Sequence, residues 1–324
     1  MREITFSEAT LEAMAEEMTR DDRVFLMGED IARQGGIFGQ FKGLPQQFGL
    51  ERIRDTPISE TAIIGAGVGA ALAGMRPVVD MHFVDFITIA MDEVVNQMAK
   101  IRYMFGGQCT VPIVLRAPDG MVRSAAAQHS QSLEAWFLHV PGLQVVIPSN
   151  PADAKGLLKS AIRSDNPVLY FEHKVLFKMK GPVPEGDHLV PIGKAKISRS
   201  GKDVSIVSYS LMMQVALEAA EELAKQGIEA EVIDLRTISP LDEETIFSSV
   251  RKTKRLVIVH EAVKTGGVGA EIAARVAEEM IDYLDAPIRR LGAPFVPIPF
   301  SPALEKLVKI SAADVVRTVR EICC

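Results

Sequence analysis

Apolar residues follow two alternating patterns along the chain, and the alternation predicts strands and helices in turn. Short continuous apolar runs are typical of strands buried on both faces, and apolar residues three and four positions apart are typical of amphipathic helices. In the first half, the predicted strands are residues 24–28, 77–83, 112–116, 143–148 and 168–172. The predicted helices are residues 11–18, 59–74 and 87–101, and a helix that Asn150 and Pro151 begin.

The pattern is interrupted between residues 174 and 197 and then restarts. Residues 181–186 are rich in proline and glycine and are typical of a domain boundary. Beyond them, we predict strands at 204–209, 230–235, 256–260 and 288–291 and helices at 212–226, 242–250, 266–283 and 312–322. This order predicts an α/β fold with two open, mostly parallel sheets. We assign residues 1–185 to the first domain and residues 186–324 to the second.

A stretch rich in glycine and glutamine, residues 34–49, shows neither pattern. We predict a long ordered loop that exposes Phe38 and Phe41. Loops of this length in compact domains tend to be functional, so a functional role is expected here.

The helix that begins at Ser59 is the most informative element. Ser59 is expected to cap the free backbone N–H groups, and Glu60 lies in the first turn, where it complements the helix dipole by about 0.3–1 kcal/mol. Gly65 and Gly69 share one face, which lets a backbone or a flat ligand approach closely. These glycines lie inside the helix rather than in a turn after a strand, so they are weak evidence for dinucleotide binding. Glu60 is therefore either a dipole partner or a reagent.

Three histidines are candidates for chemistry. Three alanines precede His129 and leave room around a ring that titrates near neutral pH and suits proton transfer; a histidine bonded into the core is the simpler alternative. His82, with Phe86 after it, ends a predicted strand that points to a ligand crevice, or both residues only pack. His260 precedes a glycine-rich turn, residues 265–269, that could bind an anion at a helix start or be a tight turn that needs glycines. No G-x-S-x-G motif supports Ser130 as a nucleophile.

Composition excludes several classes of function. The chain has 324 residues, 48% of them hydrophobic, with a net charge of −6 and a pI near 5.6, so nucleic acid and anionic membranes are unexpected partners. We find no secretion signal and no apolar stretch suited to spanning a bilayer. Three cysteines, two of them at the tail, predict a reducing cytoplasm. Phosphate-cradling and magnesium-diphosphate motifs are missing from the sequence.

Five motifs, in order, resemble one family. They are residues 56–60 (TPISE), 105–107 (FGG), 126–131 (AAQHSQ), 141–143 (PGL) and 150–157 (NPADAKGL). The set is similar to the beta subunits of thiamine-diphosphate-dependent dehydrogenase components of 2-oxo acid dehydrogenase complexes, of the pyruvate, acetoin and branched-chain types. Each motif is modest alone, but the ordered set is specific, and the similarity covers essentially the whole chain.

The resemblance implies a division of labour between chains. The first domain would bind the aminopyrimidine end of thiamine diphosphate, and the second would be a transketolase C-terminal domain. An alpha subunit would hold magnesium and the diphosphate, which agrees with the missing phosphate motifs. Active sites would form between alpha and beta chains in a two-alpha, two-beta assembly that serves a dihydrolipoyl acyltransferase core.

The resemblance also implies roles for residues. Glu60 matches a glutamate that hydrogen-bonds a ring nitrogen of the aminopyrimidine. A carboxyl buried beside an apolar ring resists ionisation while the helix dipole favours the carboxylate, and we expect burial to dominate. His129 matches a histidine at the active-site entrance that positions substrate or lipoyl groups and helps to transfer protons. Ile58, His82 and Phe86 match cofactor contacts, although relatives often carry glutamine or methionine at position 82.

The same relatives hold potassium, largely through carbonyl oxygens, which suit a hard cation. The matching positions here are Ile113, Ala161, Ile162, Ser164 and Asn166. Ser164 replaces a frequent aspartate and removes a charge from the predicted site.

We therefore predict a pyruvate-type dehydrogenase beta subunit that acts with an alpha subunit. Acetoin and branched-chain enzymes of the same family are the alternatives. A non-catalytic subunit that docks the acyltransferase core is an alternative of another class, and a dinucleotide-dependent reductase is a more distant one.

Overall fold

The computed structural model describes residues 2–323, which form two compact units. Unit 1 contains the chain up to Asp119 and Trp136–Ile192, and unit 2 contains Gly120–Ala135 and the chain from Gly193 onward. Residues 120–135 therefore belong to unit 2 although their neighbours in sequence belong to unit 1. The predicted boundary after residue 185 stays a prediction.

Unit 1 is built on parallel strands. Its strands are β1 (Arg2–Thr5), β2 (Val24–Gly28), β3 (Ile53–Asp55), β4 (Arg76–Asp80), β5 (Val114–Asp119), β6 (Gln144–Val146), β7 (Val168–His173) and β8 (Lys180–Val183). Its main sheet has the order β6-β7-β5-β4-β2-β3, and all neighbours run parallel. β1 and β8 form a separate antiparallel pair. The predicted strands are thus confirmed, and β8 lies in a stretch that was expected to be irregular.

The helices of unit 1 begin where local chemistry favours them. They are α1 (Phe6–Arg20), α2 (Leu44–Phe48), α3 (Glu60–Leu72), α4 (Ile101–Met104), α5 (Glu134–Leu138), which starts in the segment of unit 2, and α6 (Pro151–Arg163). Helix α1 starts earlier than predicted because Thr5 and Glu8 form a reciprocal capping box. The Asn150 side chain caps α6 by accepting from Asp153 N at 3.0 Å, as predicted.

Three expectations for unit 1 were wrong. Ser59 stands at the N-cap of α3 but makes no capping bond through its side chain. The long helix predicted at residues 87–101 is a 3₁₀ segment (Val84–Ala90), a π segment (Glu93–Met98) and α4, because bonds such as Ala99 N to Val94 O span five residues. Phe41 is buried, and only Phe38 is partly exposed on the loop, which also contains α2.

Helix α3 lies directly on the sheet through Gly67. A Cβ at this position would lie 2.6 Å from Val79 Cγ1 and 2.9 Å from Ile113 Cδ1, which is closer than real contacts allow. The buried face carries Ile64 and Val68, while Leu72 is 39% exposed. The helix is therefore buried on one face only, and Gly67 sets its height above the sheet.

Unit 2 contains the second sheet, in the order β14-β13-β10-β11-β9. The strands of unit 2 are β9 (Lys196–Arg199), β10 (Val204–Ser208), β11 (Ala230–Asp234), β12 (Thr237–Ser239), β13 (Leu256–Val263) and β14 (Arg289–Ala293), and β12 is not part of this sheet. Its helices are α7 (Met212–Ala224), α8 (Glu243–Thr253), α9 (Val268–Met280), α10 (Pro302–Val308) and α11 (Ala312–Cys323). Only the edge strand β9 is antiparallel to its neighbour, so the predicted fold class is confirmed. No helix within residues 2–323 has the length and apolarity to cross a membrane.

Candidate active site

Glu60 is the first residue of α3, and its side chain is buried, with the residue only 8% exposed. The approach to the helix is fixed by Thr56 N, which donates to the carbonyl of Gly28 at 2.9 Å and ties this segment to the end of β2. Ile58, two residues before Glu60, is 81% exposed. A buried carboxyl thus stands beside an exposed apolar side chain at a helix start.

A second carboxyl, Glu29, lies beside His82 at the ends of β2 and β4. His82 Nδ1 is 3.1 Å from Glu29 Oε2, and His82 Nε2 is 3.1 Å from the backbone oxygen of Glu29. Both neighbours of the ring are oxygens, so Nε2 donates to the carbonyl. Between Nδ1 and the carboxyl there is then one further proton, carried by the ring or by Glu29. His82 and Glu29 therefore share a proton at a defined place.

The pKa of Glu29 is raised, chiefly because the carboxyl is buried. His82 lowers this pKa, and the negative charges of Glu60, Asp30 and Asp80 raise it further. Glu29 and Glu60 therefore influence each other electrostatically, and the strand ends concentrate acids around one histidine. Sequence reasoning missed Glu29, although its position directly after a buried strand was a usable signal.

Below this cluster, Arg116 is buried between two acids on neighbouring strands. Its Nη1 lies 2.5 Å from Asp80 Oδ1 on β4, its Nη2 contacts Glu172 on β7, and its guanidinium lies 4.8 Å from the ring centre of Phe41. Two carboxyls share one cation, and burial raises the pKa of Glu172 to about 7 and also raises that of Asp80. Sequence reasoning missed this triad because its members are far apart in the chain.

Aromatic rings flank the cluster. Phe86 packs edge-on against Phe83 with ring centres 6.0 Å apart, and Phe83 packs the same way against Phe38. Lys174 Nζ lies 5.2 Å from the ring centre of Phe83. Phe86 is thus held by other rings, and the exposed loop residue Phe38 is part of this aromatic row.

His129 lies in unit 2, in an irregular segment between β5 and α5. It is partly exposed, whereas the adjacent Ser130 is buried. Ser124 and Ala126 have φ of +58° and +59°, a conformation that L-residues rarely adopt. Strain of this kind often accompanies function, and something must hold it in place.

His260 is a structural residue. Its ring is fully buried, its Nδ1 bonds the backbone oxygen of Ala262 at 3.0 Å, and burial lowers its pKa to about 4. A Cβ at Gly267 or Gly269 would come within 2.6 Å or 2.9 Å of the ring. The glycines make a slot for the imidazole, and φ of +67° at Gly266 is consistent with the tight-turn interpretation. The anion site stays a prediction.

Two of the five residues of the predicted potassium site bind Arg76 through their carbonyls. Its Nη1 donates to the carbonyls of Ile162 and Ser164 at 3.0 Å and 2.9 Å. The Ile113 carbonyl accepts from Val168 N, the Ala161 carbonyl accepts from Ser164 N, and Asn166 Oδ1 accepts from Arg102. A guanidinium already supplies positive charge here, so the set is a poor fit for another cation, and the potassium site stays a prediction.

Family models match both parts of the chain. The transketolase pyrimidine binding domain matches residues 2–179, and the transketolase C-terminal domain matches residues 193–315. A solved chain described as a split gene transketolase in an inactive beta4 tetramer is similar in fold, with a TM-score of 0.82 and 24% identity over 99% of this chain and 98% of that one.

Curated relatives are much closer in sequence. The 2-oxoisovalerate dehydrogenase subunit beta of Bacillus subtilis (strain 168) is 47% identical over 99% of both chains. The pyruvate dehydrogenase E1 component subunit beta of Rhizobium meliloti (strain 1021) is 48% identical over 100% of this chain and 70% of the relative. The acetoin:2,6-dichlorophenolindophenol oxidoreductase subunit beta of Cupriavidus necator is 48% identical over 99% and 97%. This chain therefore belongs to the transketolase-like beta subunits of 2-oxo acid and acetoin dehydrogenases.

Proposed function

We propose that this chain is the beta subunit of a thiamine-diphosphate-dependent 2-oxo acid dehydrogenase, with pyruvate as substrate. The observation that carries the proposal is the buried Glu60 carboxyl at the start of α3, beside Glu29 and His82. Full-length identity to beta subunits named for pyruvate, acetoin and 2-oxoisovalerate supports the reaction class. Because the three types are nearly equally similar, a panel of these substrates is the test of specificity.

The chain's own residues fit the aminopyrimidine end of the cofactor. A flat ring with basic nitrogens needs a buried hydrogen-bonding group and apolar neighbours, and Glu60, Ile58 and Phe86 are of these types. When bound, thiamine diphosphate supplies the electron sink that makes decarboxylation possible. Glu60 would hold a proton at a ring nitrogen of the aminopyrimidine. His82 would favour the negative charge of Glu29 near Glu60.

Partners supply what this chain lacks. Among the described residues, no group of three or more histidine, cysteine or acidic side chains is arranged to hold a metal ion. We propose that an alpha subunit holds magnesium and the diphosphate in a two-alpha, two-beta enzyme, and no step of the proposed reaction uses potassium. His129 would position the lipoyl group of the dihydrolipoyl acyltransferase core. The cytoplasmic location stays a prediction.

Glu60→Gln tests the catalytic assignment. The amide keeps the size of the side chain but cannot share a proton with a ring nitrogen, so decarboxylation with the alpha subunit should fall at least about a thousandfold while assembly persists. Glu51→Gln, an exposed acid of unit 1, is the matched control. Turnover within threefold of the parent in the Glu60 variant would mean that this carboxyl is a dipole partner only.

Calorimetry tests the division between chains. This chain alone should not bind thiamine diphosphate tightly, and binding should appear when the alpha subunit is added. A purely docking subunit would instead bind the acyltransferase core and leave alpha-subunit turnover unchanged, whether or not Glu60 is replaced.

A further inference from the structure

The segment that carries His129, residues 120–135, belongs to unit 2 and is attached to the rest of that unit by side chains outside the proposed chemistry. Its base is closed by Gly120 N, which donates to the carbonyl of Gln131 at 3.0 Å. At its far end, the hydroxyl of Tyr209 on the chain after β10 donates to Glu134 Oε1 at 2.6 Å, and both side chains are buried. The segment is therefore fixed at both ends, and the part between them needs its own support.

Two carboxyl groups provide that support by accepting from backbone N–H groups. Met121 N donates to Glu261 Oε1 on β13 at 2.5 Å, and Ser124 N donates to Glu305 Oε1 on α10 at 2.6 Å. Bonds from N–H groups to a carboxylate are stronger than neutral ones. These two bonds hold the entry to the segment at positions three residues apart.

Glu305 is unusual because the whole residue is only 2% exposed. A buried carboxylate is costly unless hydrogen bonds compensate for lost water. Glu305 Oε2 lies 3.9 Å from Lys309 Nζ, so the shorter contact of this carboxyl is the bond that Ser124 N donates to Oε1. Because burial of this carboxylate is costly, we expect Glu305 to have a specific structural role, which the bond from Ser124 N indicates.

The bond to Glu305 falls where the backbone is strained. Ser124 itself has φ of +58°, and Ala126 has φ of +59°. Non-glycine residues keep this conformation only where the surroundings hold them. Both strained residues lie within five positions before His129, and the first of them is the residue that Glu305 binds, so release at Ser124 would let the strain relax toward His129.

We propose that Glu305, assisted by Glu261, is a positioning residue that holds the His129 segment in its strained conformation. The task of the segment rests on the proposed function, whereas its attachment to Glu305 does not. Glu305 acts through Ser124 and touches no reacting group.

The attachment is tested by amide exchange and by trypsin in the assembled enzyme. Arg123 is exposed beside the contact and offers a cleavage site within the segment. Glu305→Ala should speed exchange across residues 121–131 and cleavage after Arg123 by about tenfold or more. Glu305→Gln keeps an accepting oxygen and should stay within about threefold of the parent. Lys306→Ala, on the exposed side of the same helix, should change neither rate.

Equal protection in Glu305→Ala and the parent would overturn the proposal. If Glu305→Ala does not assemble, Glu261→Ala decides it: this variant removes the acceptor of Met121 N, so unchanged exchange across residues 121–131 would contradict attachment through these carboxyls.

A double-mutant cycle tests the consequence for His129. Glu305→Ala should reduce acyl transfer to lipoyl more than decarboxylation with an artificial acceptor, and it should add little in a His129→Ala background. Fully additive losses would show that Glu305 does not act through His129. If His129→Ala leaves both assays unchanged, the proposed role of His129 fails, while the exchange result still decides the attachment.

Discussion

Two histidines near the carboxyl ends of parallel strands lie in opposite environments. His82 follows β4, keeps 18% of its side chain exposed, and faces Glu29 in a group of acids. His260 lies within β13, is fully buried, and is enclosed by glycine backbone. Burial lowers the pKa of His260 to about 4, so it stays neutral at physiological pH. Position in the fold thus does not distinguish these two histidines; burial and the charges around the ring do.

The largest expected effect concerns the acids below His82. Arg116→Met removes the cation that Asp80 and Glu172 share and leaves both carboxyls buried without a counterion. The free energy of unfolding should fall by about 3–5 kcal/mol. Arg251→Met, which removes an arginine stacked on Tyr283, should have only a small effect in the same urea titration. Equal losses of unfolding free energy in the two variants would mean that the buried triad stabilises the fold no more than the contact of Arg251 with Tyr283 does.

Filling the glycine slot around His260 should lower the free energy of unfolding by less than Arg116→Met does. In Gly267→Ala, the new Cβ would meet the imidazole at 2.6 Å and the oxygen of Val263 at 2.8 Å, and overpacking of this kind costs about 1–3 kcal/mol. Gly69→Ala is the matched control, because open space surrounds Gly69 on α3 and alanine favours a helix. Urea unfolding should show a loss for the first variant and none for the second. If Gly267→Ala does not lower the free energy of unfolding, the glycine backbone does not pack tightly against the imidazole of His260.

Glu172 should make stability depend on pH in the opposite sense to His260, whose lowered pKa makes the free energy of unfolding rise with pH between about 4 and 6.5. The folded protein keeps the Glu172 proton up to about pH 7, whereas the unfolded chain releases it near 4.5, so the free energy of unfolding falls as pH rises between these values. Glu172→Gln cannot titrate and should remove about 2 kcal/mol of that fall between pH 5 and pH 8. If the urea midpoint of Glu172→Gln depends on pH as the parent's does, a group other than Glu172 causes the fall.

The smallest expected effect is a shift in a pH profile. His82 lowers the pKa of Glu29, so His82→Gln should let that pKa rise further and move the acid limb of kcat/KM to higher pH. His260→Gln serves as the comparison and should leave the limb in place, whatever it does to stability. If both variants and the parent have the same pH profile, the Glu29–His82 pair does not control the ionisation that the acid limb of kcat/KM reports.

Sequence reasoning located the parallel strands because their apolar runs are long enough to need cover on both faces. It located Glu60 because a helix start is a local feature. It failed for residues 87–101, since apolar spacings of three and four do not distinguish an α-helix from mixed 3₁₀ and π turns. The Asp80–Arg116–Glu172 triad and the contact of Glu305 with Ser124 join distant parts of the chain, which no spacing rule reveals.

Gly67 has a consequence for evolution as well as for packing. Because a lone hydrogen lets α3 rest on Val79 and Ile113, any larger side chain would lift the helix and carry Glu60 with it. A methyl group two turns away from the acid would therefore displace Glu60 without touching it, and mutational screens confined to the residues of the candidate site would overlook this effect.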